Sequence, residues 1–471
     1  MEQWFSNWAE CLDSSLGPCL AALAVWVFVS GFDDLFVAVA FAYSRLCARR
    51  SRPPVSPRRL RAWPEKRIAV FVPLWREDEV IRRMVEHNRS AIRYGCFDFF
   101  LGAYPNDAPT LAAIRRLEFR FPNVHLAQCP HDGPTSKADC LNWIYQRMLL
   151  HEEAAGVHYD LVVTHDAEDV IHPESFRLIN YFSDRYDMVQ VPVLPMPTPW
   201  WDLIHGVYCD EFAEYQTKDI PARQALGGFL PSNGVGTGYK REALEQLACS
   251  SSNRVFEPAC LTEDYENGYR LYRLGCRQLF LPPMFFEGTL AATREYFPRD
   301  LRAAVRQRTR WVMGIILQGW ERHGWAGSWR QRYWWWRDRK GLLGNPFSTL
   351  TNIVWLYAFV SGALPPSARV LYPGLLLLQS VFLAFRACAC ARIYGWRFAL
   401  GVPLRTVVAN GINTVSVFRA VARYLAARLR GEPLVWLKTD HAYPSRAALT
   451  ALQPPLPELG WDVPAAAGRR A

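Results

Sequence analysis

Residues 17–46 form an almost unbroken apolar run, broken within by Asp33 and Asp34 and reaching Arg45 at its end. A helix needs about 20 apolar residues to cross a bilayer, so this run is long enough to span one. A cleaved signal peptide leads with positive charge, whereas the residues before this run carry Glu2, Glu10 and Asp13 and no Lys or Arg. The run therefore reads as an uncleaved membrane anchor. An ionised Asp at mid-membrane costs about 3 kcal/mol. The pair is accordingly expected to face other helices or a polar interface, or to be protonated, with helix association at least as good a role as catalysis. Arg45, Arg49, Arg50, Arg52, Arg58, Arg59 and Arg61 follow, and they hold much of the excess of 54 basic over 44 acidic residues. Basic residues beside an apolar run, and not spread over a folded face, argue against nucleic acid and for anionic membrane lipids as partners. They place the residues after 46 in the cytosol. Half the chain is hydrophobic and 14% is aromatic, which suits a membrane protein with a substantial soluble part. The twelve Cys include no C-x-x-C pair, so reduced thiols in a cytosolic compartment are expected.

From Pro64 to about Pro298 the pattern is that of a soluble α/β domain. RIAVFVPLW reads as a buried parallel strand, and EDEVIRRMVEHNRSAIR after it has helical spacing. DLVVTHDAED repeats the strand and ends in acidic residues, at the strand end where open α/β sheets bind ligands. Two membrane spans are expected at 346–364 and 370–389, forming a hairpin. In 400–429, Arg405, Asn410, Asn413, Ser416, Arg419, Arg423 and Arg428 draw a polar stripe along one helix face. That stripe, with the positive-inside rule, favours an interfacial amphipathic helix over a further span. The chain thus divides into an anchor and Arg-rich linker (1–63), an α/β domain (64–298), an interfacial segment (299–345), a transmembrane hairpin (346–390), an amphipathic segment (391–453) and a disordered tail (454–471).

Three polar strings carry the chemistry. THDAED offers Asp166 and Glu168, with Asp169 behind them, as oxygen ligands for a hard divalent cation. The same acids also suit a helix N-terminus, because IHPESF follows. LTED offers Asp264 as a general base, although Thr262 could equally be an ordinary helix cap. RQRTRW offers Gln307, Arg308, Arg310 and Trp311, with Arg for phosphate oxygens and the indole for stacking on a sugar ring. Anchoring of a helix in lipid headgroups is the competing use of those residues.

Together these strings resemble the membrane-bound family 2 glycosyltransferases, which include the cellulose and hyaluronan synthases and carry a D,D,D,Q(Q/R)xRW series. PLWRED at 73–78 is similar to that family's entry motif, and Asp107 in YPND matches the position that contacts the nucleotide base. Lys137 in TSKADCLN matches a residue near the donor diphosphate. Asp166 and Glu168 match the metal-binding D-x-D, Asp264 the catalytic base, and Gln307, Arg310 and Trp311 the Q-x-x-R-W element. Gly236 and Gly238 resemble the loop around the donor sugar, and Lys438, Thr439 and His441 in WLKTDH resemble a mobile segment that approaches the diphosphate. SGFDD, THDAED and KTDHAYP further resemble the phage adsorption protein B-like bacterial branch. Glu168 departs from the usual second Asp. The chain also ends soon after KTDH, so regulation through the C-terminal cyclic-dinucleotide domain of longer members is not expected, and three spans make a polymer channel built by this chain alone doubtful.

The resemblance implies a GT-A-type, Rossmann-like catalytic domain in the cytosol, with transmembrane and interfacial helices at the bacterial inner membrane. It implies a metal-dependent (Mg²⁺ or Mn²⁺), inverting hexosyl- or N-acetylhexosaminyl-transferase. The donor would be a nucleotide sugar, with UDP-sugars the expected class, and the acceptor lipid-linked or a growing surface polysaccharide; an outer-membrane or periplasmic export partner is a further expectation. The alternative is a catalytically dispensable membrane scaffold or receptor component of an envelope polysaccharide or phage-adsorption system.

Overall fold

The structure, a computed structural model, describes residues 2–51, 56–286, 288–362, 366–434 and 442–452. Lys438, Thr439, His441 and the tail from 454 lie outside these residues.

Seven strands form the central sheet, in the order β3-β2-β1-β4-β7-β5-β8. They are β1 (Ile68–Pro73), β2 (Phe97–Ala103), β3 (Val124–Gln128), β4 (Leu161–Thr164), β5 (Met188–Gln190), β7 (Thr237–Lys240) and β8 (Gln278–Phe280). β6 (Val193–Pro195) lies outside this sheet. β7 runs antiparallel to both neighbours and the other pairings are parallel. Strand alternation explains how the sheet is covered on both faces. Ile68, Val70 and Val72 point into a core with Ile81, Met84 and Val85 of the Asp78–Ala91 helix, while Ala69 and Phe71 point into a second core with Leu141, Ile144 and Met148 of the Lys137–Ala155 helix. A short hairpin, β9 (Phe285–Phe286) with β10 (Thr289–Leu290), precedes β11 (Thr293–Glu295), which pairs with β6. β11 also bridges Val170, just past the acidic turn of β4, through Arg294.

The Pro366–Tyr394 and Val402–Arg430 helices pack on this domain through the Leu203–Glu214 helix, and the N-terminal helix packs on the Ile220–Ala225 helix. Among the described residues two stretches are long and apolar enough to cross a membrane, Pro18–Cys47 and Pro373–Tyr394. The Gly341–Ser361 helix, which holds most of the first span expected after the α/β domain, is not one of them. Its first half carries Asn345, Ser348, Thr349, Thr351 and Asn352.

Asp33 and Asp34 face a helix. Asp33 accepts from Tyr333 (2.7 Å), Arg337 (2.6 Å) and Lys340 (2.7 Å), and Lys340 also reaches Asp34 at 2.8 Å. The Val402–Arg430 helix turns much of its polar stripe toward protein. Arg405 is fully buried and donates to both Asp210 oxygens at 2.7 and 2.8 Å. Asn413 accepts from Arg308 and donates to Glu211. Leu404, Val407, Val415 and Phe418 occupy the outward face instead. Periodicity shows which residues share a face of this helix, but that face meets protein and not water: charged groups lie against Arg405 and Asn413, and the Val305 and Ile412 carbonyls accept from Ser416.

Candidate active site

β4 delivers the acidic string to the carboxyl edge of the sheet. There Asp169 turns inward, fully buried, and takes a bond from His165 Nδ1 at 2.6 Å and from the Asp166 backbone N–H at 3.1 Å. Asp169 therefore braces the turn and leaves Asp166 and Glu168 to line the cavity beyond it. None of these acids caps the following helix, Ser175–Ser183, whose N-cap position is Glu174.

That cavity has a volume of about 560 Å³ and collects Lys137, Asp166, Glu168, Asp264, Gln307, Arg310 and Trp311. Lys137 opens a helix capped by Ser136, and its ammonium spans both Asp166 oxygens at 2.6 and 2.8 Å. Burial opposes that charge, but the carboxylates of Asp166, Glu263 and Asp264 outweigh it and hold the ammonium above its ordinary pKa. Glu263 and Asp264 begin the Glu263–Arg273 helix, with Thr262 at the cap position making no side-chain cap bond. Burial, and then the neighbouring Asp264 charge, pushes the Glu263 carboxyl up to about 7. Burial likewise raises Asp264, against the pull of Lys137 and Arg310.

The Leu301–Trp311 helix begins at an Asp300 cap. Spacings of three and four residues put Gln307, Arg310 and Trp311 on one face, toward the cavity. Arg308 points the other way, where it pairs with Glu211 at 2.7 Å and lies over the Tyr208 ring. Trp311 packs beside Tyr208, Phe212 and Phe297 and lines the cavity, so its surroundings are those of a protein site and not of a headgroup anchor.

Three expected site residues do not line the cavity. Asp107 is buried and accepts from the Arg76 backbone N–H at 2.6 Å, which shapes the loop carrying Trp75. Gly236 adopts φ +60 beside Thr293, and Gly238 lies in β7, where a Cβ would collide with Ile179. Their neighbours Ser232, Asn233 and Val235 line the cavity instead. Glu295 on β11 is a cavity carboxyl that the sequence did not reveal; burial, joined by the charges of Asp169, Glu168 and Asp166, raises it well above its usual range. Glu211, Phe212 and Glu214 of the Leu203–Glu214 helix were also missed. No local motif surrounds them, because long-range packing brings them in.

Residues 64–314 match the family described as Glycosyltransferase like family 2. The chain belongs to this glycosyltransferase family. It is 35% identical over 475 aligned residues to bacteriophage adsorption protein B of Escherichia coli K12, and equally to bacteriophage N4 adsorption protein B of E. coli O157:H7. The alignment covers 93% of this chain and 63% of each relative. The fold is also similar to that of a mannosyltransferase from Pyrobaculum calidifontis solved with GDP-Man and Mn²⁺, with a TM-score of 0.53, 16% identity, and coverage of 85% of this chain and 99% of that one. The fold is therefore GT-A-like, with a mostly parallel central sheet.

Proposed function

We propose that this chain is an inverting transferase of the bacterial inner membrane that moves a hexosyl or N-acetylhexosaminyl group from a nucleotide sugar, a UDP-sugar, to a lipid-linked or polysaccharide acceptor at the cytosolic face. The observation that carries the reading is the meeting of a phosphate-binding set, Lys137 and Arg310, with the base Asp264 in one cavity. The aromatic rings of Trp75 and Tyr104, packed edge to face in the cavity lining, suit the nucleotide base, and Asp107 holds the loop that carries Trp75. Asp166 and Glu168 present hard oxygen donors on one turn, which fits a Mg²⁺ or Mn²⁺ ion. No group of three or more His, Cys, Asp or Glu forms a complete cage among the described residues, so the remaining ligands would be donor oxygens and water. Such an ion, held by Asp166 and Glu168, would neutralise charge on the leaving diphosphate.

In the reaction the acceptor hydroxyl oxygen bonds to the anomeric carbon, and Asp264 takes its proton. The bond from that carbon to the diphosphate oxygen breaks on the opposite face, and Lys137 and Arg310 meet the developing negative charge. Attack and departure on opposite faces invert the anomeric centre.

Two results are expected. Asp166→Ala should abolish Mn²⁺-dependent binding of the UDP-sugar in calorimetry; unchanged binding removes Asp166 from the metal site. Only ionised Asp264 accepts a proton, so kcat/KM should fall as pH drops through the raised pKa of the Glu263–Asp264 pair. The acid limb is expected above the usual carboxylate value of about 4, and a limb at that value would contradict the buried, coupled geometry.

A further inference from the structure

Asp33 and Asp34 interrupt the apolar Pro18–Cys47 stretch, and the transfer chemistry gives them no part. Their partners stand at the end of the Trp329–Arg339 helix. Arg337 and Lys340 are three residues apart and so share a face, on which they hold both acids. Arg337 reaches Asp33 at 2.6 Å and Asp34 at 3.1 Å, and Lys340 reaches them at 2.7 and 2.8 Å.

Asp338 lies between those two bases in the chain and, at roughly 100° per residue, faces elsewhere. It accepts from Arg223 Nη1 at 2.8 Å and Nη2 at 3.0 Å, and from the Tyr265 hydroxyl at 2.5 Å. Each of these partners confines the base Asp264 from one side. Tyr265 follows it in the chain, and the Tyr265 N–H donates to Asp264 Oδ1 at 2.8 Å. Arg223 also donates to the Phe229 carbonyl at 2.6 Å, shortly before Gly234. Gly234 (φ +77) lies so close that a Cβ there would stand 2.8 Å from Asp264 Oδ2. Arg337, Asp338 and Tyr265 line the catalytic cavity together with Asp264. The clasp on the Glu2–Ser51 helix is thus one residue away from the carboxylate that fixes both walls around the base. Such walls matter, because misplacing a catalytic group by about 1 Å can cost about 100-fold in rate.

We propose that Asp338 is a positioning residue for Asp264, and that Asp33 and Asp34 set Asp338 by fixing Arg337 and Lys340 on either side of it. The assignment rests on the transferase reading above. It gives the N-terminal helix a part in turnover: that helix aligns the base without touching substrate.

The test uses the full chain in lipid nanodiscs and measures nucleoside diphosphate release from a panel of UDP-sugars, with the thermal midpoint recorded for every variant. Tyr265→Phe removes one hydroxyl and keeps the ring that packs against Phe229 and Trp335. It should lower kcat about 10- to 100-fold while donor KM changes less than about 2-fold. Added to Asp264→Asn, the same change should leave the residual turnover where it is, because the base it aligns is already gone and effects routed through one group do not add. Asp33→Asn weakens the clasp while Asp34 still holds Arg337 and Lys340, so the helix should stay docked. It should lower kcat at least about 3-fold with donor KM preserved, and should also lose its effect in Asp264→Asn. Full kcat in Tyr265→Phe overturns the positioning role, and so does an equal fold loss with and without the Asp264 carboxylate, which is what a purely structural contact would give. Full kcat in Asp33→Asn overturns the link to the N-terminal helix. Absence of donor turnover in the unaltered protein, or turnover undiminished in Asp264→Asn, overturns the transferase reading or the base itself, and this assignment with it.

Discussion

Replacing Asp264 with Asn is expected to lower sugar transfer by about 10²- to 10⁴-fold, the usual contribution of a positioned general base. The change preserves size and one oxygen, so the bond that Oδ1 accepts from the Tyr265 N–H at 2.8 Å can persist and the start of the helix should stay intact. What is lost is proton acceptance, in a cavity where burial has already raised the basicity of the carboxylate. Donor binding should fall far less than turnover, because Lys137 and Arg310 remain. A membrane scaffold that dispenses with catalysis would keep its cellular phenotype in the same variant at equal expression, and that outcome would favour the alternative reading.

Arg405→Met is expected to destabilise the protein by about 3–5 kcal/mol, the typical cost of stranding one partner of a buried ion pair. Asp210 is 2% exposed, and without Arg405 its carboxylate keeps, among the described residues, the Cys390 thiol as its one side-chain donor. Total stability of folded domains is only about 5–15 kcal/mol, so the loss should appear as a marked fall in the thermal midpoint in detergent. The double variant Arg405→Met, Asp210→Leu should recover much of it, since apolar replacement of a whole buried pair is often neutral. An unchanged midpoint in the single variant would show that the pair does not join the Val402–Arg430 helix to the catalytic domain.

The contrast between these residues shows what the sequence made legible. β1 and β4 could be read because a strand covered on both faces has to be continuously apolar, and the acids after β4 stand where such a sheet opens. Gln307, Arg310 and Trp311 could be read because helical spacing alone puts them on one face. Arg405 was visible as part of a stripe, but periodicity says which residues share a face and not what covers that face; here it is Asp210, nearly two hundred residues earlier. Asp169 looked like a ligand because its commitment to His165 depends on how the turn closes. Glu295, Glu211 and Phe212 were illegible, since they reach the cavity through the pairing of β11 with β6 and the packing of one helix, neither of which leaves a local signature.

The most direct test of the central claim is nucleoside diphosphate release by the purified full chain against a panel of nucleotide sugars, with and without Mg²⁺ or Mn²⁺. The account predicts metal-dependent turnover of one UDP-sugar that disappears in Asp264→Asn; release from no donor, or release undiminished in that variant, would contradict it.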